Sequence, residues 1–481
     1  MTREKRYERL KDLLAERIAQ GVYRPGDRLP SVRQWCREQG VSMTTAQASF
    51  AALEADGLIK ARPRSGYFVA EARPAAPAPR VSRPEQRPVR VSRWEQVQSL
   101  VTGGEARHGL AQGMPDLRAP TLRPLRRLLA THQRDSASAT FGYDRLAGDP
   151  ALRQQITHLM SQGGALRQAD DIIVTTGAQE ALAIALRILC QPGDVIAVDS
   201  PAFYGAMQML EARGLQALEI PTDAQRGISL EALELALERW PVKAILITPT
   251  CNNPLGYSMP EERKRALLAL ARRHDVAIIE DDVYGDLAYD APRPRLLASE
   301  DSDGRVLTCS SFSKTLLPGL RLGWLAPGRY RDRALHEKYV STGCSATLAQ
   351  AAVAEFIVRG HHARHLAAMR RQYRRQAGRM RCWVQQAFPA GTRVSDPRGG
   401  FMLWVELPEA FDSLALNVHL QEHGLGVAPG PLFSASGKYG HCLRLNFSSP
   451  MSDSIETAVR TIGRLAGEQL QRREPRASMP A

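Results

Sequence analysis

A lysine stands within a stretch that otherwise reads as buried, SSFSKTLLPGLRLGW, at residues 310–324. Ser311 and Ser313 precede Lys314, apolar residues lie on both sides of it, and Arg321 follows seven positions later. Burial among apolar groups disfavours the charged form of a lysine and lowers its pKa. A neutral amine is a nucleophile toward aldehydes. The stretch therefore predicts a lysine that attacks an aldehyde.

Further groups would complete a site for a phosphorylated aldehyde. The run TTGAQEALAI turns from a strand into a helix at Gly177, and amides at a helix N-terminus bind phosphate. Asp281 ends the strand in IIEDDVYGD, where a buried carboxylate can keep a pyridine nitrogen protonated and make the ring an electron sink. These are the needs of pyridoxal 5′-phosphate (PLP). The candidate residues are Gly177, Ala178, Gln179, Ser311, Ser313 and Arg321 at the phosphate, Asp281 at the ring nitrogen, Asn253 and Tyr284 at the ring hydroxyl, and Tyr204 as a stacking ring.

Each of these signals has a simpler reading when taken alone. A glycine at a strand-to-helix turn is usually structural, and a lone lysine usually lies at the surface. The run Glu280, Asp281, Asp282 could be a solvated loop or a magnesium site. No second carboxylate cluster supports magnesium, so no metal site is predicted. The joint occurrence of the groups, each at a predicted strand end, favours the cofactor.

The elements around these groups alternate between strand and helix from about residue 140. The runs DIIVTTG, DVIAVD, KAILITP and VAIIEDD are nearly continuous in apolar residues, and helical patterns separate them. Such strands are typical of a parallel sheet that helices cover on both faces, with function beyond the strand C-terminal ends. From about residue 345, helices and the strands FMLWVEL and CLRLNFS predict a smaller α+β domain.

The first 72 residues predict a winged helix-turn-helix. Three helical stretches are separated by glycine-containing turns, and LIKARPRSGYFV reads as a hairpin. The third helix would enter the major groove of DNA, and the hairpin would be the wing. An ordinary helical bundle with solvated arginines is the alternative. The candidate DNA contacts are Arg33, Ser42, Thr44, Thr45, Gln47, Arg62, Arg64 and Gly66.

Charge and composition favour a polyanion partner and a cytoplasmic location. The net charge is +14, and residues 1–100 hold nineteen Lys and Arg against eleven Asp and Glu. Residues 73–104 are rich in Pro and Arg and predict a stiff, extended linker. Seven scattered cysteines, with no Cys-x-x-Cys, indicate reduced thiols. The N-terminus lacks the pattern of a secretory signal, and no apolar run is long enough to span a membrane.

Two long stretches resemble known families. Residues 21–69, with RPGDRLPSVRQWC and SGYFV, resemble the DNA-binding domain of GntR-family regulators. Residues 110–470 resemble fold-type I aminotransferases, and SFSKTLLPGLRLGW is similar to their cofactor-lysine motif. The combined architecture resembles the MocR-type regulators. It implies an α/β fold with a mostly parallel seven-stranded sheet at about residues 130–340, a small part at about 345–470, an aminotransferase-like domain over 105–470 and a flexible tail at 471–481.

The resemblance also assigns roles. It implies Lys314 as the internal Schiff base, Asp281 at the pyridine nitrogen and Arg444 as the group that grips a substrate α-carboxylate. Tyr143 matches a tyrosine that reaches the phosphate of the neighbouring subunit, which implies a homodimer. Ala178 departs from the Ser or Thr of many relatives and would leave the phosphate with one hydroxyl fewer.

The predicted function is a DNA-binding transcriptional regulator that binds PLP. Its aminotransferase-like domain would sense PLP, an amino acid or an amine through aldimine chemistry at Lys314, and its DNA partner would be a double-stranded operator. The alternative is a working aminotransferase that carries a DNA-binding head, with Lys314 and Tyr284 as catalytic residues. A purely structural domain that has lost its cofactor would not need this set of residues.

Overall fold

The computed structural model describes residues 3–62, 65–70, 76–91, 95, 97–98, 109–135 and 142–473. The chain divides into two compact units, residues 1–77 with 375–386, and residues 78–374 with 387–481. Every helix in the described ranges is too short or too polar to span a bilayer.

Helices and strands alternate over most of the second unit, and the elements of both units are numbered together in chain order. The helices are α1 (Arg3–Ala19), α2 (Val32–Gln39), α3 (Met43–Ala55), α4 (Arg123–Asp135), α5 (Pro150–Gln162), α6 (Ala178–Leu189), α7 (Tyr204–Ala212), α8 (Leu230–Arg239), α9 (Glu261–Arg273), α10 (Arg331–Ser341), α11 (Thr347–Val358), α12 (His361–Ala387), α13 (Ser413–Gln421) and α14 (Asp453–Arg473). The strands are β1 (Ile59–Arg62), β2 (Gly66–Val69), β3 (Val89–Arg90), β4 (Ile173–Thr175), β5 (Val195–Ser200), β6 (Gln216–Asp223), β7 (Gly227–Ile228), β8 (Val242–Ile247), β9 (Ala277–Asp281), β10 (Val306–Ser311), β11 (Gly323–Ala326), β12 (Arg393–Val394), β13 (Met402–Glu406), β14 (Ala428–Pro429) and β15 (Cys442–Asn446).

The first unit contains the predicted three helices and hairpin. The Ser31 hydroxyl accepts a hydrogen bond from the amide of Gln34, and this cap starts α2. Gly40 has a φ of 61°, a left-handed conformation that ends the helix. Strands β1 and β2 pair antiparallel, as a wing requires. The helices and the hairpin share one apolar core, formed by Leu10, Leu14, Leu29, Trp35, Ala46, Phe50, Leu53, Ile59 and Val69.

The second unit is built on a nine-stranded sheet in the order β3-β6-β5-β8-β9-β10-β11-β4, with β7 beside β6. Strands β6, β5, β8, β9 and β10 run parallel to one another, whereas β11 is antiparallel to both of its neighbours. Seven of the nine strands form the predicted sheet. The other two, β3 and β7, are two-residue edge strands, too short to show a pattern in the sequence.

A four-stranded antiparallel sheet follows in the order β12-β13-β15-β14. It contains both of the strands that the sequence predicts for the smaller part. In the register of β13 and β15, Trp404 lies opposite Arg444 and Glu406 opposite Cys442. This sheet therefore carries Arg444, while the nine-stranded sheet carries Asp281 and Lys314 lies on the turn that follows its strand β10.

Part of the predicted linker belongs to the second unit. Residues 78–91, here called the strap, run along this unit, and Val89 and Arg90 form β3 at the edge of its sheet. Ser82 is buried, and Val91 enters the apolar core. The strap shows no helical period because it is extended, and its hydrogen-bond partners are distant in sequence. At the other end of the chain, α14 continues to Arg473 and includes the start of the predicted tail.

Candidate functional site

A cavity of about 180 Å³ lies at the C-terminal ends of the parallel strands. Asp281 is the last residue of β9, Ser311 is the last residue of β10, and Thr248 directly follows β8. Parallel sheets place their ligands at this edge. The residues that line the cavity are Ala178, Gln179, Leu182, Phe203, Thr248, Asn253, Asp281, Val283, Tyr284, Ser311, Ser313, Lys314, Pro318 and Arg321. Nine of the twelve predicted cofactor residues line the cavity, whereas Gly177, Tyr204 and Tyr143 do not.

Lys314 extends into this cavity from the turn that follows β10. Its Nζ donates a hydrogen bond to the carbonyl oxygen of Gly113 at 2.7 Å. Burial, together with the positive charges of Arg444 and Arg321, lowers the pKa of Lys314 to about 8 against the opposing effect of Asp281. An amine with this pKa is partly neutral near physiological pH and can act as a nucleophile.

Asp281 is the buried acid of the site. Its Oδ1 accepts a hydrogen bond from the amide of Val283 at 3.4 Å. Burial raises the pKa of Asp281 to about 6; the amide of Val283 and the charge of Lys314 counteract burial, whereas Glu280 adds to it. Such a carboxylate is a strong acceptor for a protonated ring nitrogen, because a neighbouring cation favours its charged form.

The predicted phosphate end combines a helix N-terminus with an arginine. Gly177 has a φ of 80° and directly precedes α6. The Arg321 guanidinium lies so close that a Cβ at Gly177 would be 2.7 Å from its Nη2, which also donates to the Thr176 carbonyl at 3.1 Å. The Ser311 hydroxyl accepts from the amide of Ser313 at 3.2 Å. Amides, a guanidinium and hydroxyls together form an anion site.

The opposite end holds a hydroxyl group that lacks a partner. Tyr284 is 2% exposed, and its OH finds no hydrogen-bond partner among the described residues. Burial raises the pKa of this phenol well above its usual value, so it stays a donor. Buried hydroxyls are nearly always hydrogen-bonded. The phenolic oxygen of PLP would supply the missing acceptor, so the residues present fit this cofactor.

The ring that faces the cavity belongs to Phe203 and not to the predicted Tyr204. Tyr204 begins α7 and packs edge-on against Phe433 at a centroid distance of 5.6 Å. The guanidinium carbon of Arg444 lies 5.7 Å from the Tyr204 ring. The two aromatic residues are adjacent in SPAFYG, and only the path of the loop after β5 decides which of them faces the cavity.

Arg444 is fully buried on β15 and is only partly hydrogen-bonded. Its Nη2 donates to the carbonyl of Ala111 at 2.6 Å, and its Nη1 donates to Asn253 Oδ1 at 3.3 Å. Its Nε finds no acceptor in the described part of the chain. A buried guanidinium with an unpaired N–H is suited to a carboxylate, which can accept two parallel hydrogen bonds.

Sequence reasoning missed a second buried carboxylate, Asp199. Its Oδ2 accepts from Asn252 Nδ2 at 2.7 Å and from the Tyr257 hydroxyl at 3.1 Å. Burial raises the pKa of Asp199 to about 7, and the charge of Asp281 adds to this effect. Asp199 therefore holds the loop that contains Asn253. No local motif reveals it, because its partners lie more than fifty residues away.

Two of the three acidic residues at the end of β9 are engaged by other parts of the protein. Glu280 accepts from the amide of Leu297 at 2.8 Å, and Asp282 forms an ion pair with Arg293. Only Asp281 of the three lines the cavity. Elsewhere, an exposed group of His419, Glu422 and His423 has possible ligand atoms within 4.8 Å of one another.

The DNA-binding candidates separate into exposed and buried residues. Arg33, Thr44, Gln47 and Arg62 are exposed, as a DNA contact requires. Thr45 is only 7% exposed, which leaves little of its side chain available for the predicted DNA contact. Its hydroxyl hydrogen-bonds to the Ser42 hydroxyl at 2.8 Å, because the third residue of a capped helix turns back toward the cap.

The predicted wing is described in part. Arg64 lies outside the described residues. Gly66 has a φ of 100°, a conformation that other residues rarely adopt, and the side chain of Arg28 lies beside it. Arg62 stacks on the ring of Phe68 with its guanidinium carbon 4.4 Å from the ring centroid. Arg28 is exposed and is a wing candidate that the sequence did not single out.

Comparison with known proteins agrees with this organisation. Residues 6–69 match the family model of bacterial regulatory proteins of the gntR family, and residues 108–462 match that of aminotransferase class I and II. The chain is 48% identical to the uncharacterized HTH-type transcriptional regulator YjiR of Escherichia coli K12 over 95% of this chain and 98% of that protein. It is 30% identical to the probable rhizopine catabolism regulatory protein MocR of Rhizobium meliloti over 76% of this chain and 74% of that protein.

The chain belongs to the GntR-type transcriptional regulators with an aminotransferase class I and II domain. The predicted MocR-type architecture is thereby confirmed. The fold of the second unit is also similar to that of LysN, an α-aminoadipate aminotransferase from Thermus thermophilus that was solved with N-(5′-phosphopyridoxyl)-L-leucine. That similarity has a TM-score of 0.70 at 26% identity, over 78% of this chain and 95% of LysN. The regulator thus has the fold of PLP-dependent aminotransferases.

Proposed function

We propose that this regulator binds PLP covalently at Lys314 and responds to an amino acid that reaches the same site. The observation that supports this most is the single cavity that joins a lysine of lowered pKa, a buried acid and a buried phenol without a partner. A domain that only held two subunits together would have no use for this set.

Each residue has a defined task toward the cofactor. Arg321, Ser311 and the N-terminal amides of α6 hold the phosphate, and Asp281 accepts the ring N–H. Tyr284 and Asn253 donate to the ring hydroxyl, and Phe203 packs on the ring face. Bound PLP supplies an aldehyde that condenses with amines and a ring that withdraws electrons.

The effector is best described as a compound with a carboxylate and a primary amine. Arg444 keeps a buried guanidinium beside the cavity, and its unpaired N–H favours an anion over a neutral amine. The amine of the effector would displace Lys314 from the cofactor, and Lys314 with its lowered pKa would then be able to take up a proton. The same property supports transamination as the second candidate function.

DNA and a second copy of the chain are the proposed macromolecular partners. The exposed Arg33, Thr44 and Gln47 on α2 and α3 suit phosphates and base edges of an operator. Tyr143 is 99% exposed. An aromatic side chain this exposed supports the proposal that it reaches the phosphate site of a partner subunit in a homodimer.

The test is a visible absorption titration of the PLP-loaded, full-length protein with a panel of amino acids and amines. A persistent spectral shift with one compound would identify an effector. Bleaching that a keto acid reverses would instead establish transamination. Borohydride reduction and peptide mapping should place the cofactor on Lys314, with Lys314→Ala as the negative variant and the exposed Lys243→Ala as the matched control. Equal spectra for wild type and Lys314→Ala would contradict the proposal.

A further inference from the structure

The N-terminal end of the strap contacts the four-stranded sheet. The backbone amide of Arg80 donates to Glu406 Oε2 at 2.8 Å, and its guanidinium donates to Glu409 at 2.6 Å. Arg393 donates to the carbonyl of Ala78 at 3.1 Å. Glu406 has a nearly buried side chain, so its bond to the strap amide is shielded from water.

The same strap contacts the nine-stranded sheet a few residues further on. The amide of Ser82 donates to the Thr222 carbonyl at 3.2 Å, and the Ser82 hydroxyl accepts from the Thr222 amide at 2.7 Å. Beyond this pair, β3 adds to the sheet beside β6. The strap therefore joins the two sheets through hydrogen bonds of its own.

Each attachment point is connected to an element of the candidate site. The Thr222 hydroxyl accepts from the amide of Ser200 at 3.0 Å, and Ser200 is three residues before Phe203, which lines the cavity. On the other sheet, Glu406 is two residues from Trp404, which lies opposite Arg444. The attachment at Arg80 thus reaches the strand pair that carries Arg444, and the attachment at Ser82 reaches, through Thr222, the loop that carries Phe203.

We propose that the strap transmits the state of the site to the DNA-binding domain. This inference rests on the proposed function. A ligand that is held in the cavity and by Arg444 at once fixes the spacing of the two sheets. The strap is attached to both sheets, so its conformation changes with that spacing. Along the chain, it leads to the winged helix-turn-helix. Because coupling between two sites is reciprocal, loosening the strap must also change ligand affinity.

The test uses full-length protein without PLP and one probe, phosphopyridoxyl-L-alanine. This stable compound carries both the phosphate for the cavity and the carboxylate for Arg444. Three quantities are measured: probe affinity, amide hydrogen exchange of residues 78–91, and affinity for a duplex that the protein selects from random-sequence DNA. The strap variants are Arg80→Ala and Ser82→Ala. Ser82→Thr keeps the hydroxyl and should restore the wild-type response.

Arg87→Ala is the matched control within the strap. Arg87 is 73% exposed on its side chain and pairs with Glu85 of the strap itself, so it attaches the strap to neither sheet. We expect the probe to slow exchange of the Ser82 amide and to change DNA affinity about fivefold or more in wild type and Arg87→Ala. In Arg80→Ala and Ser82→Ala that change in DNA affinity should fall to less than about twofold, with a several-fold change in probe affinity.

Other outcomes separate the two proposals. If the probe binds and alters DNA affinity equally in all variants, or binds without altering DNA affinity at all, the strap does not transmit the signal, while the proposed ligand site stands. If the probe fails to bind the wild type, the proposed function is wrong, and the strap proposal fails with it.

Discussion

The lowered pKa of Lys314 predicts an unusual pH dependence of PLP capture. Burial, Arg444 and Arg321 lower this pKa from 10.5 to about 8. At about pH 7, roughly one Lys314 in ten is then neutral, against roughly one in three thousand for an ordinary lysine. Because only the neutral amine attacks the aldehyde, capture near neutral pH should be about 300-fold faster than with an unperturbed lysine.

The direction of the pH dependence of PLP capture follows from the lowered pKa of Lys314. Below about pH 8 the capture rate should rise about tenfold per pH unit, because the neutral fraction rises tenfold, and above it the rate should level off. Stopped-flow mixing of PLP with cofactor-free protein, followed by visible absorbance between about pH 6.5 and 9.5, measures this profile. Lys314→Ala should give no such signal, and Lys243→Ala should behave as wild type. A rate that keeps rising to about pH 9.5 without bending would refute the reasoning about burial.

Three further substitutions test the PLP site and the DNA-binding domain independently of each other. Tyr284→Phe should weaken PLP retention about five- to tenfold, the value of about one hydrogen bond, without loss of thermal stability, because the native phenol has no protein partner to lose among the described residues; equilibrium dialysis and thermal unfolding measure both, and unchanged retention would remove Tyr284 from the site. Trp35→Ala should destabilise the first unit by about 3–5 kcal/mol, since the ring is fully buried. DNA binding should then be lost while the visible spectrum of bound PLP persists. A parallel loss of that spectrum would contradict the independence of the two units. Arg64→Ala should weaken binding to the selected duplex in a mobility-shift assay and leave PLP uptake unchanged, and equal DNA affinity would exclude this residue from the wing contacts.

The local sequence was sufficient to predict the helices and strands and most of the residues that line the cavity. Helices α2 and α3 begin after a serine because the cap needs only a side chain three residues from the amide that it binds. Strands β8 and β9 are nearly continuous in apolar residues because helices cover the sheet on both faces. Parallel strands bring their C-terminal ends to one edge, so Asp281 and Ser311 meet at the cavity once the alternation is recognised.

Other features follow only from contacts between distant residues. Phe203 rather than Tyr204 faces the cavity because of the path of one loop. Thr45 is buried because its hydroxyl turns to Ser42, although its neighbour Thr44 remains exposed. Asp199 becomes part of the site through partners on another loop.

The strap shows most clearly what the sequence determines and what the tertiary structure decides. Composition alone predicted a stiff, extended segment over residues 73–104, because proline removes amide donors and disfavours a helical period. Tertiary structure decided that part of this segment, residues 78–91, is held against two sheets, since Ser82 meets Thr222 across 140 residues and Arg80 meets Glu406 across 326. Hydrogen bonds over such separations leave no periodic signal in a sequence, and they form only when the whole unit has folded.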